Sequence, residues 1–262
     1  MVSLPQPALT GEGTPEQLWQ DWRPLQSWPR LRMGKPPATV VAVAPHPDDE
    51  VLGIGGLLSL LARAGSHIHI IAVTDGEASH PGSPTLSPKA LAARRVEESA
   101  TAREALGLTG ATVERLGLPD GDVRRVEARD AVVTAAVVHA LARTAHRGPA
   151  WCLAPFPKDG HPDHDTVGQA AVAGASGTAR VITYPVWMWH WATPADPRVP
   201  WSAARRVVLP AAVRAAKEQA VQAFQTQIAP LSDDPADATI LPPHILARLT
   251  RGTEIVFAQD AP

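Results

Sequence analysis

Two five-residue stretches place imidazoles and carboxylates at a spacing that can do chemistry. HPDDE occupies residues 46–50 and HPDHD residues 161–165. Each holds two metal-ligating groups three residues apart: His46 with Asp49, and His161 with His164. A loop that turns into a helix can aim both groups at one point. Catalytic zinc sites usually take three protein ligands from histidine and carboxylate and leave one position for water. Of the imidazoles and carboxylates in the two turns, five are taken as candidates, His46, Asp48, Asp49, His161 and His164. Two would remain for moving protons. Either turn taken alone also reads as an acidic helix start. Proline suits the first helical position, where its missing N–H would be unpaired anyway, and acidic side chains there oppose the helix dipole. The repetition of the turn favours a site.

The elements that must hold these turns follow a clear alternation. Strand-like runs fall at 39–44, 68–74, 111–116, 151–155 and 180–184, and helix-like runs at roughly 51–64, 88–106, 127–146 and 162–174. Such alternation predicts βαβ units, hence an α/β fold with a Rossmann-like, mainly parallel sheet flanked by helices. In such sheets ligands bind beyond the carboxyl ends of the strands. Both turns follow a strand and open a helix, which puts them there. Further along, 205–210 reads as a strand, 211–228 as one long Ala-rich helix, 230–243 as loop and 254–259 as a last strand. Residues 1–37, rich in proline and carrying Trp19, Trp22 and Trp28, read as an arm packed on the domain. Residues 38–262 read as a single domain, less regular from about 230.

Composition narrows the classes. With 262 residues and 45% hydrophobic content the chain can bury a sizeable core. A net charge of −2 gives no electrostatic case for nucleic acid. No apolar run approaches the roughly 20 residues of a membrane span. The start, MVSLPQPALTGEG, lacks the basic and apolar regions of a signal peptide. The expectation is a cytoplasmic protein, with homo-oligomerisation left open. The single cysteine, Cys152, leaves no internal disulfide and no cysteine cluster, so any metal ligands are His, Asp or Glu.

AVAPHPDDEVLGIGG at 42–56 resembles the N-terminal motif of the LmbE-like, or PIG-L-type, zinc deacetylases. The likeness continues through VTDGEAS (73–79), RVEESATAREALG (95–107), LGLPDGDV (116–123), GHPDHDTVGQA (160–170) and KEQAVQAFQTQ (217–227). Members of that family remove an acetyl group, typically from an N-acetylglucosamine unit in a conjugate. The resemblance implies one Zn²⁺ per chain held by His46, Asp49 and His164. It implies Asp48 as the general base acting on a zinc-bound water, and His161 as general acid or oxyanion stabiliser. The physiological metal is open, since Fe²⁺ or Co²⁺ also suits such ligands. Asp163 reads as the residue that orients the His161 ring and Glu50 as an outer partner of a metal-binding histidine, or each as a helix-start charge. Asp75, Glu77, Arg95 and Asp120 match polar positions of the family motifs and read as substrate contacts or structural ion pairs. One departure stands out: Asp159 occupies the position where family members often carry a tyrosine near the developing oxyanion.

The chemistry agrees with that division of labour. An amide is a poor electrophile with a poor leaving group, so it needs a polarised carbonyl, an activated water and a proton for the departing nitrogen. The densest aromatic stretch is YPVWMWHW at 184–191. If extended, it shows Trp187, Trp189 and Trp191 on one face, and Trp189 reads as a surface for a sugar ring. The glycines of GIGG (53–56) lack dinucleotide spacing and read as close helix-to-sheet packing. The function expected is removal of an N-acetyl or other N-acyl group from a small amino sugar conjugate. The alternatives are a non-catalytic sugar- or nucleotide-binding protein of the same fold and a metal-dependent phosphohydrolase with two metals.

Overall fold

The computed structural model describes residue 9 and residues 11–258. The first eight residues and Thr10 of the expected arm, and Gln259 of the expected last strand, lie outside the described residues. In chain order the elements are α1 (Glu16–Asp21), α2 (Pro24–Ser27), β1 (Thr39–Ala44), α3 (Asp49–Arg63), β2 (His67–Ala72), α4 (Pro88–Ala105) and β3 (Thr112–Arg115). They continue with α5 (Arg129–Thr144), β4 (Ala150–Pro155), α6 (Pro162–Ala175), β5 (Arg180–Tyr184) and α7 (Met188–Trp191). The last are β6 (Ala204–Val208), α8 (Ala211–Val221), α9 (Gln225–Ile228), α10 (Pro243–Leu249) and β7 (Thr253–Ala258).

Among the described residues, seven strands form one sheet in the order β3-β2-β1-β4-β5-β7-β6. The sheet is mixed. β2 and β4 flank β1, β3 pairs β2 and β5 pairs β4, all parallel. β7 enters antiparallel between β5 and β6. The expectation of a mainly parallel sheet is met in part: four of the six pairings are parallel, and both antiparallel ones involve β7. β7 follows α10 directly, and the direction of return of that short connection is a tertiary matter.

β1 is buried throughout and serves both faces. Val40 and Ala42 join one core with α3, α4 and α8, while Val41 and Val43 join a second with α5 and α6. The alternation is the period of two of a strand. Strand order reverses between β1 and β4, the switch point at which α/β sheets form a crevice. His46 follows β1 and His161 follows β4, so both turns open into that crevice.

Two segments differ from the sequence reading for identifiable reasons. The helix expected over 211–228 breaks at Phe224, which is fully buried with φ −81° and ψ 56°. The Glu98 carboxylate takes the Thr226 N–H at 2.9 Å and its hydroxyl at 2.7 Å, an alternative to the helical bonds. The tryptophan stretch is not extended either. Its N–H groups at Val186, Trp187 and Met188 converge on the Asp159 carboxylate at 2.8–3.0 Å and start the short turn α7.

The described part of the arm is packed down. Trp19 is fully buried, meets Trp189 edge-on at 4.9 Å and donates its indole N–H to the Trp189 carbonyl. Trp22 and Trp28 complete the cluster against Trp201. No helix among the described residues is long and apolar enough to cross a membrane.

Candidate metal centre

The first turn is set by a strained residue. Asp48, the N-cap of α3, has φ 147°, outside the range an L-residue adopts freely. Arg95 on α4 holds it there. One terminal nitrogen bonds both the Pro47 carbonyl and the Asp48 carboxylate at 3.0 Å, and the other bonds the Gly76 carbonyl at 3.0 Å. Gly76, at φ +72°, leaves room for that guanidinium, with which a Cβ would collide. The result is a buried carboxyl group on a loop fixed by these bonds. Burial pushes the Asp48 carboxyl up to about 7, with the Arg95 charge pulling the other way.

Three donor atoms from the two turns form a nearly equilateral triangle. His46 Nδ1 lies 3.2 Å from Asp49 Oδ2 and 3.2 Å from His164 Nε2, and the third edge is 3.1 Å. Tetrahedral ligands about 2.0–2.1 Å from a zinc lie about 3.3–3.4 Å from one another. The trio therefore fits a single ion. Burial favours neutral carboxyls, yet the His164 and His46 contacts hold Asp49 well below the usual carboxylate range. Against burial, which lowers it, the Asp49 and Asp159 carboxylates lift His164 to about 9.

Each imidazole has its other nitrogen engaged by carboxylate. His46 Nε2 faces Asp120 at 3.1 Å and Asp163 at 3.2 Å. Those carboxylates are themselves tied to backbone N–H groups, Asp120 to Ala78 and Asp163 to Gly121 and Val123. His164 Nδ1 faces Asp159 at 2.8 Å. Such outer carboxylates fix ring orientation and raise ligand basicity. His161 also brings a ring nitrogen within 4.8 Å of those of His46 and His164, as Asp120 and Asp163 do around His46. The His46, Asp49, His164 trio has all three edges at 3.1–3.2 Å and combines two imidazoles with a carboxylate.

His161 borders the same cleft and is not among those three. Its Nδ1 accepts the Asp163 N–H at 3.2 Å. In the neutral ring the proton is therefore on Nε2. Burial and the charges of His46 and His164 push this histidine down to about 3.

The cleft has a volume of about 240 Å³ and is lined by His46, Asp48, Asp49, Arg95, Asp120 and His161 on its polar side. Leu52, Val186, Trp187, Gln227, Ile240 and Leu241 form the other. The remaining sequence candidates fall elsewhere. Asp75 pairs with Arg115 at 2.5 Å, and Glu77 accepts the Asp120 N–H at 2.9 Å. Trp189 is buried in the tryptophan cluster under Arg251, while its neighbour Trp187 lines the cleft. Glu50 is buried with Oε2 unpartnered, and burial lifts it to about 7. Sequence reasoning chose Trp189 where the structure puts Trp187 at the cleft, gave no role to Gln227 in its motif, and missed Ile240 and Leu241 as cleft walls. It also missed Asp159 as the partner of His164, and no local pattern marks Ile240 or Leu241.

Known proteins resemble this arrangement. A family model described as PIG-L: GlcNAc-PI de-N-acetylase matches residues 41–175, which include both His-Pro-Asp turns. The 1D-myo-inositol 2-acetamido-2-deoxy-alpha-D-glucopyranoside deacetylase of Kineococcus radiotolerans is 31% identical over 161 residues, covering 52% of this chain and 44% of its own. The diacetylchitobiose deacetylase of Thermococcus kodakarensis is 30% identical over 139 residues, covering 52% and 49%. The chain thus spans about half the length of the curated relatives it matches. Among solved structures, a deacetylase triple mutant of the teicoplanin biosynthetic pathway shares the fold. Its TM-score is 0.59 at 19% identity, over 84% of this chain and 97% of that one. With just over half of its residues matched by the family model, this chain belongs to the PIG-L family.

Proposed function

We propose that the chain is a zinc-dependent N-deacetylase that hydrolyses the N-acetyl group of a small amino sugar conjugate. The observation that carries the reading is the triangle of His46, Asp49 and His164 donors, 3.1–3.2 Å on each edge, beside the buried Asp48. The family and the named activities of its relatives support the same reaction. His46, Asp49 and His164 would hold the metal. When bound, it supplies Lewis-acid polarisation of the amide carbonyl and makes water more acidic.

The chain's own groups do the rest. Asp48 is buried beside the donor triangle, outside it, and takes a proton from the attacking water. Arg95 keeps that carboxylate aimed and partly ionised. Neutral His161 donates an Nε2–H hydrogen bond to the developing oxyanion, its ring held by the Asp163 backbone, and the proton that Asp48 took from the water passes to the departing nitrogen. Asp120, Asp163 and Asp159 hold the two metal-binding imidazoles in place. Trp187, with Ile240 and Leu241, offers an apolar wall for a sugar face or its aglycone. We read residues 38–262 as one catalytic domain, with the described part of the preceding segment packed on it.

The test is an amine-release screen across N-acetylglucosamine conjugates with metal stoichiometry measured on the same protein. Release that depends on one Zn²⁺ per chain is expected. Absence of release from every conjugate would sink the reading, and two metals per chain would favour phosphate ester hydrolysis instead.

A further inference from the structure

The helix that carries Asp49 is broken, and the break is filled by an ion pair. In a continuous α-helix the Gly56 N–H would bond the Leu52 carbonyl. At Ile54 the backbone leaves helical geometry, with φ −143° and ψ 19°. Glu254 on β7 accepts the freed N–H groups, Gly56 at 2.7 Å and Leu57 at 2.8 Å. Lys217 on α8 donates to the freed Leu52 carbonyl at 2.8 Å and to Glu254 at 2.7 Å. The missing helical bond is thus replaced by a relay: N–H to carboxylate, carboxylate to ammonium, ammonium to carbonyl. Both side chains are about 2% exposed.

We propose that Lys217 and Glu254 are positioning residues for the metal centre, setting the direction of the short helical segment 49–53. The proposal rests on the metal reading above. That segment is under two turns long. Its near end carries Asp48 and Asp49, and its far end is gripped through Leu52, which also lines the cleft. A second contact fixes the same bend: Gly53 lies against the Tyr184 ring, and the Tyr184 hydroxyl bonds the Val43 carbonyl on β1 at 2.7 Å. Apolar replacement of a buried ion pair is often harmless to stability. This pair, however, also satisfies three backbone groups of the helix that supplies a ligand. Both residues lie outside the 41–175 stretch of the family match. The C-terminal part of the chain therefore acts on the geometry of a centre whose ligands all come from the earlier part.

The experiment is Co²⁺ titration of metal-free protein, reading affinity and the visible absorption of the bound ion. Lys217→Met is expected to weaken Co²⁺ binding about 10–100-fold, the range for residues that orient metal ligands, and to change the absorption band. Leu141→Ala, a cavity in the opposite core, is expected to lower Tm while leaving both readouts at the wild-type value. Wild-type affinity and spectrum in Lys217→Met would overturn the proposal with the metal reading intact. A wild-type protein that binds no Co²⁺ would overturn the metal reading and this proposal with it. If Lys217→Met does not fold, Glu254→Gln replaces it. It keeps one acceptor and is expected to weaken binding by a smaller factor, and an unchanged affinity would again overturn the proposal.

Discussion

At the scale of single residues, the site separates its carboxylates by environment. Asp49 is held ionised by two imidazoles, whereas Asp48, buried with one arginine, titrates near neutrality. Only the carboxylate form of Asp48 can accept a proton, so kcat/KM should fall as pH drops below about 7. Asp48→Asn should keep its metal and lose about 10²–10⁴-fold in kcat, the usual contribution of a general base; full turnover would exclude that role. Arg95 lowers the Asp48 value. Arg95→Met should therefore move the acid limb of the pH profile upward, and an unmoved limb would show that the pair does not tune the base. Asp159 both orients His164 and gathers the 186–188 backbone. Asp159→Asn should weaken zinc binding about 10–100-fold in competition with a chelator. His164, raised to about 9, must lose a proton to bind metal. Zinc affinity should thus decline as pH falls below about 9, with protons released on binding.

At the scale of elements, α3 matters most because it joins the ligand turn to the sheet. Gly53 meets the Tyr184 ring so closely that a Cβ would collide with it. Gly53→Ala should cost about 1–3 kcal/mol in urea unfolding, the usual cost of overpacking, although alanine is the better helix former. A neutral or stabilising result would show that the helix can move off Tyr184. The strands and long helices up to 184 were legible in the sequence to within about two residues at most boundaries. Their periodicity reports burial, and burial is strongest along β1 and α3. The break at Phe224 and the turn at 188–191 were not legible. In both, a distant carboxylate, Glu98 or Asp159, captures backbone N–H groups that local propensity would assign to helix or strand. The antiparallel β7 was hidden likewise, since a strand's pattern carries no direction.

At the scale of the whole molecule, the cleft is assembled from segments spread over nearly 200 positions, from His46 to Leu241. The arm contributes from behind, through Trp19 against Trp189 in the stretch that also carries Trp187. Trp19→Ala should cost about 3–5 kcal/mol, as large aromatic truncations in a core do. A fall in Tm of several degrees is expected, and an unchanged Tm would mean the arm is dispensable. The sequence by itself determined the two His-Pro-Asp turns and the strand-then-helix setting that places them at one edge of a sheet. These follow from short-range geometry: proline, acid and imidazole within one turn point the same way wherever the turn sits. The tertiary structure alone decided which donor atoms meet. Asp163 reaches His46, 117 positions away, with its carboxylate, while only its backbone serves neighbouring His161. Arg95 reaches Asp48 across 47 positions, and Trp189 turns into the core while Trp187 faces the cleft. Side-chain partners across a sheet depend on register and packing, which no local spacing encodes.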